Sequence, residues 1–246
     1  MGAHSGPDIV TDGLVLCLDA ANPESYPGTG TTWTDLSGNG NDALFLGGPL
    51  FSSENKGGIV FDGTDDYSRP NTSHSYLESS TLSITLKFSS YNNENIVLFG
   101  YRHNSGYSNP TIGTIFASAG RFSASVITYT EVYRIVTLSP SFNVGEIYTI
   151  DLTKDIVNGI LKLYLNGGQY IATQTFDASA YAQWTTAGSY VGANILDIGL
   201  SSNTVSSQGW INYLNGIIYN LKLYNKILSE SEIQQNFNAT RRRFSV

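Results

Sequence analysis

Between Thr81 and Phe88 the chain alternates without a break: Leu82, Ile84, Leu86 and Phe88 are apolar, and Ser83, Thr85 and Lys87 between them are polar. In extended backbone successive side chains point to opposite faces, so this run writes one buried face and one wet face. A strand of an all-parallel sheet is covered on both sides and reads as a continuous apolar run, so the alternation predicts an antiparallel sheet. Shorter runs of strand formers bounded by turn residues recur along the chain, at Leu14–Leu18, Ile59–Phe61, Ile96–Phe99, Ile112–Phe116, Phe122–Tyr129, Val132–Leu138, Ile147–Leu152, Ile160–Leu165, Tyr170–Phe176, Tyr190–Val191 and Ile217–Tyr224. Many short strands with glycine-rich turns give an all-β sandwich or a barrel.

Two local signals are sharper. Asn166-Gly167 lies between Ile160–Leu165 and the run from Tyr170; both residues tolerate positive φ, which predicts a tight hairpin. Near the end, Ser229 and Glu232 have capping-box spacing before Ile233 and Phe237, which share one helical face, so a short C-terminal helix follows the last strand. Arg241-Arg242-Arg243 beyond it reads as a solvated helix end beside the negative pole of the helix dipole. Residues 1–11 read as a flexible N-terminal arm and residues 12–246 as one domain; Asn194–Gly209, rich in Ser, Asn and Gly, reads as a long surface loop.

Composition narrows the functional classes. The 246 residues carry a formal charge of -7, which repels nucleic acid, so no nucleic-acid partner is expected. Cys17 is the only cysteine, so no intrachain disulfide forms and the core must hold the fold. Met1–Asp8 has no basic stretch followed by an apolar one, and no run approaches the ~20 apolar residues of a membrane span. The expectation is a soluble chain without membrane insertion.

The choice between sandwich and barrel comes from motifs. Gly13–Ala20 (GLVLCLDA), Trp33–Asn41 (WTDLSGNGN) and Ile59–Tyr67 (IVFDGTDDY), in this order, resemble the opening of laminin-G-like, concanavalin A-like domains. Leu163–Gly167 (LYLNG) resembles the family's hairpin, and Gly216–Asn225 with Leu228–Ile233 resembles its last strand and closing helix. The resemblance runs from about Asp12 to Arg243. It implies a jelly-roll β-sandwich of two curved antiparallel sheets with a short C-terminal helix. The opening Ala20–Gly28 and the ending Asn236–Phe244 are similar to versions carried by tailed-phage virion proteins. That implies a non-enzymatic structural or adhesion module of the virion, assembled in the host cytoplasm: a capsid decoration, head-fibre or tail-associated protein. Its partners would be other virion proteins and host surface polysaccharide, and a homo-oligomer stays open. A free carbohydrate-binding lectin is the alternative reading, and a polysaccharide hydrolase the third.

Glycosidases of this fold class carry carboxylates two apart on one strand. The nearest approach here, Glu146 and Asp151, puts its two acids on opposite faces, so no catalytic residues are assigned. His4, His74 and His103 have no metal-ligand spacing. Asp62, Asp65 and Asp66 cluster within one turn and offer oxygen ligands suited to calcium, with Asp19, Asp35 and Asp42 on neighbouring motifs. Asp62-Gly63 and Asp35-Leu36-Ser37-Gly38 are also what tight turns require, and the turn reading is preferred over a metal site. No other cofactor is expected. For sugar stacking the candidates are Tyr101, His103, Tyr107, Tyr181 and Trp184, in or beside loop-like segments, whereas Trp33 is expected in the core.

Overall fold

A computed structural model describes residues 8–71, 79–92, 96–103, 111–126, 134–138, 141–178, 194–202 and 211–244. The first six strands are β1 (Leu14–Asp19), β2 (Thr32–Trp33), β3 (Ala43–Leu46), β4 (Leu50–Ser52), β5 (Gly58–Asp62) and β6 (Tyr67–Pro70). Next come β7 (Ser80–Phe88), β8 (Ile96–His103), β9 (Thr111–Ser118), β10 (Arg121–Val126), β11 (Arg134–Thr137) and β12 (Ile147–Asp155). The last are β13 (Ile160–Leu165), β14 (Tyr170–Thr175), β15 (Asn194–Ile198), β16 (Leu200–Ser202), β17 (Ile211–Tyr213) and β18 (Asn215–Tyr224), followed by helix α1 (Glu230–Thr240).

Among the described residues these strands build two eight-stranded antiparallel sheets. The rear sheet runs β14-β13-β12-β7-β18-β5-β4, with β1 also pairing β18; the front sheet runs β11-β10-β9-β8-β15-β6-β3-β2; β16 and β17 form a small ribbon. The apolar half of the β7 alternation does what the sequence predicts: Leu82, Ile84, Leu86 and Phe88 join Ile150 and Leu152 of β12 in one core with Leu98, Phe99, Ile115 and Leu196 of the front sheet; the face expected to be wet is not, since Ser83 and Thr85 are each 1% exposed. Each such side chain, taken wholly out of water, contributes roughly 1.5–3 kcal/mol. The fold is therefore the expected β-sandwich with one short C-terminal helix, and Trp33 lies in its core.

The two sharp local signals hold. Asn166 and Gly167 both take positive φ, 50° and 70°. The Ser229 hydroxyl accepts the Glu232 N–H at 3.3 Å while the Glu232 carboxylate accepts the Ser229 N–H at 2.8 Å, which starts α1. Ile233 and Phe237 are buried against the rear sheet. The preferred turn reading is visible at Asp35, whose carboxylate accepts from the N–H groups of Cys17, Ser37 and Asn41 and from the Ser37 hydroxyl.

Three other expectations need correction. First, Arg241–Arg243 is not a uniformly solvated tail: it forms a 3-10 turn in which Arg243 is folded inward. Its guanidinium pairs with Asp19 at 2.6 Å and donates to the carbonyls of Asn55 and Gly57, and it lies against the Tyr219 and Phe244 rings, which pack on one another. A fork of planar donors suits such a cluster of oxygens better than it suits a helix dipole. Second, the described part of the N-terminal arm is anchored. Val10 is buried, its N–H donates to Asn236 Oδ1, and its carbonyl accepts from the Tyr224 hydroxyl. Third, Asn194–Ile198 and Leu200–Ser202 of the expected loop are strands, because Leu196 and Ile198 alternate into the core.

The outward side of the rear sheet is polar beneath α1. Thr149, Thr85, Asn220 and Lys222 form a buried hydrogen-bonded chain across it. Asp151 lies one row away, 1% exposed and paired in register with Ser83 and Tyr164.

Candidate functional site

The register of the front sheet decides which side chains face outward. Phe45 of β3 pairs with Ser68 of β6 and enters the core, so the flanking pairs Leu44–Arg69 and Leu46–Tyr67 turn to the opposite face. Ile198 of β15 also pairs with Ser68 and enters the core, which brings Asp197 onto that same outer face. Arg69 Nε donates to Asp197 Oδ1 at 2.9 Å. Asp197 is buried at 1% exposure, while the Arg69 side chain keeps 33%. The guanidinium carbon sits 5.2 Å from the centre of the Tyr67 ring, and the Tyr213 ring is 6.4 Å from Tyr67. Leu44 is exposed beside them. The result is two half-buried tyrosine rings, an apolar neighbour and a guanidinium held from behind by a buried carboxylate.

The adjoining turn carries Asp62, Asp65 and Asp66, whose ligand atoms lie within 4.8 Å of one another. The sequence brought these three together correctly, and they are the residues here that could hold a cation. Two of them serve the turn itself: Asp62 Oδ1 accepts the Thr64 N–H at 2.7 Å, and Asp66 Oδ2 accepts the Asp62 N–H at 3.0 Å. Burial raises the Asp66 carboxyl above its ordinary value, against the Asp62 N–H that lowers it, and the charges of Asp62 and Asp65 raise it further. Partial burial, with Tyr67 and Asp65 nearby, likewise raises the Tyr213 phenol, so it stays a neutral hydroxyl at physiological pH.

The sugar-stacking candidates fare differently. Tyr101 and His103 lie on strand β8 and not in a loop; they pair in register with Leu196 and Asn194 of β15. Tyr107, Tyr181 and Trp184 fall outside the described residues. Sequence reasoning did not single out Tyr67, Arg69, Asp197 or Tyr213. The two-residue spacing of Tyr67 and Arg69 was a usable signal for one strand face; Asp197 lies 128 positions from Arg69, and nothing local marks it.

No family model matches the sequence, and no curated protein matches it. Solved structures do match. A Trypanosoma rangeli sialidase mutant displaying trans-sialidase activity superposes with a TM-score of 0.68 at 16% identity, over 97% of this chain and 35% of that one. The receptor binding domain of the botulinum neurotoxin C/D mosaic serotype gives 0.63 at 15% identity, over 93% and 51%. The binding domain of botulinum neurotoxin DC in complex with SialylT gives 0.65 at 12% identity, over 94% and 52%. The chain thus spans about a third to a half of the length of these proteins, and at such identities the likeness shows a shared β-sandwich fold.

Proposed function

We propose that this chain is a non-enzymatic adhesion module that binds carbohydrate on the outer face of its front sheet. The observation that carries the reading is the grouping of Tyr67, Arg69, Asp197 and Tyr213 from three separate stretches of sequence. Aromatic rings supply flat apolar platforms for the C–H faces of a pyranose, and a few fixed polar groups orient its hydroxyls. The similar structures include a receptor binding domain and a binding domain in complex with SialylT, which supports this reading. The resemblance of the opening and ending segments to tailed-phage domains supports the further reading that the module belongs to a virion, bound to neighbouring virion proteins and facing host polysaccharide.

A glycan array probed with the full chain tests the binding reading. Saturable binding that Tyr67→Ala and Tyr213→Ala each weaken is expected; an array without signal would end it. Release of reducing ends from host envelope glycans would replace it with the hydrolase reading. The virion assignment is separate, and fails if purified particles lack the polypeptide.

A further inference from the structure

We infer that the sugar unit seated on this face carries a carboxylate, and that Arg69 is the group that selects it. The inference rests on the carbohydrate reading above and goes further by naming the chemical class of ligand. Arg69 is held from two directions: its Nε is taken by Asp197, and its plane lies by the Tyr67 ring. Among the described residues, its Nη1 and Nη2 amino groups make no hydrogen bond, and Asp197 is its sole ion-pair partner. A guanidinium engaged only at Nε keeps its Nη edge, whose side-by-side N–H donors match the two oxygens of a carboxylate. Fixing the side chain beforehand removes much of the rotamer entropy that a free surface arginine loses on binding.

The surroundings explain why this edge is kept for an outside ligand. Asp197 is buried behind the guanidinium, so it holds the group in place without shielding the exposed side. The acidic turn is close, yet Asp62 and Asp66 are tied to that turn's own backbone. The neutral Tyr213 hydroxyl adds no negative charge. Because the whole chain is acidic, recognition of an anionic sugar here is short-range and owes nothing to the overall field.

The test uses the full chain on oligosaccharides with uronic or sialic acid residues, each beside the same oligosaccharide with its carboxyl reduced to the alcohol, and on neutral glucans. Wild type is expected to bind at least one acidic form about tenfold more tightly than its reduced partner. Arg69→Gln should abolish that preference while weak binding of the reduced form persists. Arg69→Lys, which keeps the charge and protects the fold, should lose most of it. Equal binding of acidic and reduced forms by wild type overturns the inference and leaves the carbohydrate reading standing. Binding to no glycan at all overturns both.

Discussion

Replacing Asp151 by asparagine should make the folded chain more stable at neutral pH, although it deletes a charge near Lys222. Asp151 is 1% exposed in the middle of the rear sheet. Burial pushes its carboxyl from 3.8 up to about 6, and the opposing pulls of Ser83 and Lys222 do not restore it. A carboxyl that holds its proton more tightly folded than unfolded makes stability fall as pH rises between those two values. Below about pH 4 both states are largely protonated and the cost is small; above about pH 6 both are ionised and the cost is complete. Each pH unit in between is worth ~1.4 kcal/mol, so the buried charge costs about 3 kcal/mol at neutrality. Asparagine is the neutral shape-mimic, and Asp151→Asn should therefore gain about 2–3 kcal/mol near pH 8 and a small fraction of that near pH 4. Urea unfolding of both proteins at the two pH values reads this directly. A variant no more stable than wild type near pH 8, or one with the same gain at both, would refute the reasoning.

The other expectations concern stability too. Arg243→Ala removes the guanidinium that ties Asp19, Asn55 and Gly57 together, and should cost ~2–4 kcal/mol, whereas Arg241→Ala, exposed in the same turn, should cost less than about 1; denaturant midpoints separate them. Asp35→Ala leaves three backbone N–H donors without their acceptor, and a loss of ~3 kcal/mol with a lower melting temperature is expected. Gly167→Ala forces a side chain onto a positive φ and within 2.7 Å of Phe237; calorimetry should show a loss of at least ~1 kcal/mol. Since two carboxylates of the Asp62–Asp66 turn are engaged by backbone, adding calcium or a chelator should leave the melting temperature unchanged, and a calcium-dependent rise would reassign the turn as a metal site.

What could be read from the residues was whatever repeats or closes locally. Alternation along β7, positive φ at Asn166-Gly167, and the Ser229/Glu232 cap each depend on neighbours within a few positions, and each appears where the sequence put it. Asp62, Asp65 and Asp66 were legible for the same reason. The front-face constellation was not, because β15 returns to pair with β6 only after about half of the chain has intervened, so Asp197 meets Arg69 through topology and not through spacing. Arg243 was misread on similar grounds. A run of three arginines looks hydrated until the partner carbonyls at Asn55 and Gly57 are known, and these lie 188 and 186 positions away.

Val10 is anchored on Asn236 and Tyr224, and Phe244 packs on Ile217 and Tyr219, so both ends of the described chain lie against the rear sheet and not against the sheet that carries Arg69. Neither anchor intrudes on the face where Tyr67, Arg69 and Tyr213 meet. A ligand reaching that face is thus met by the front sheet alone, with the two anchored ends held on the opposite layer.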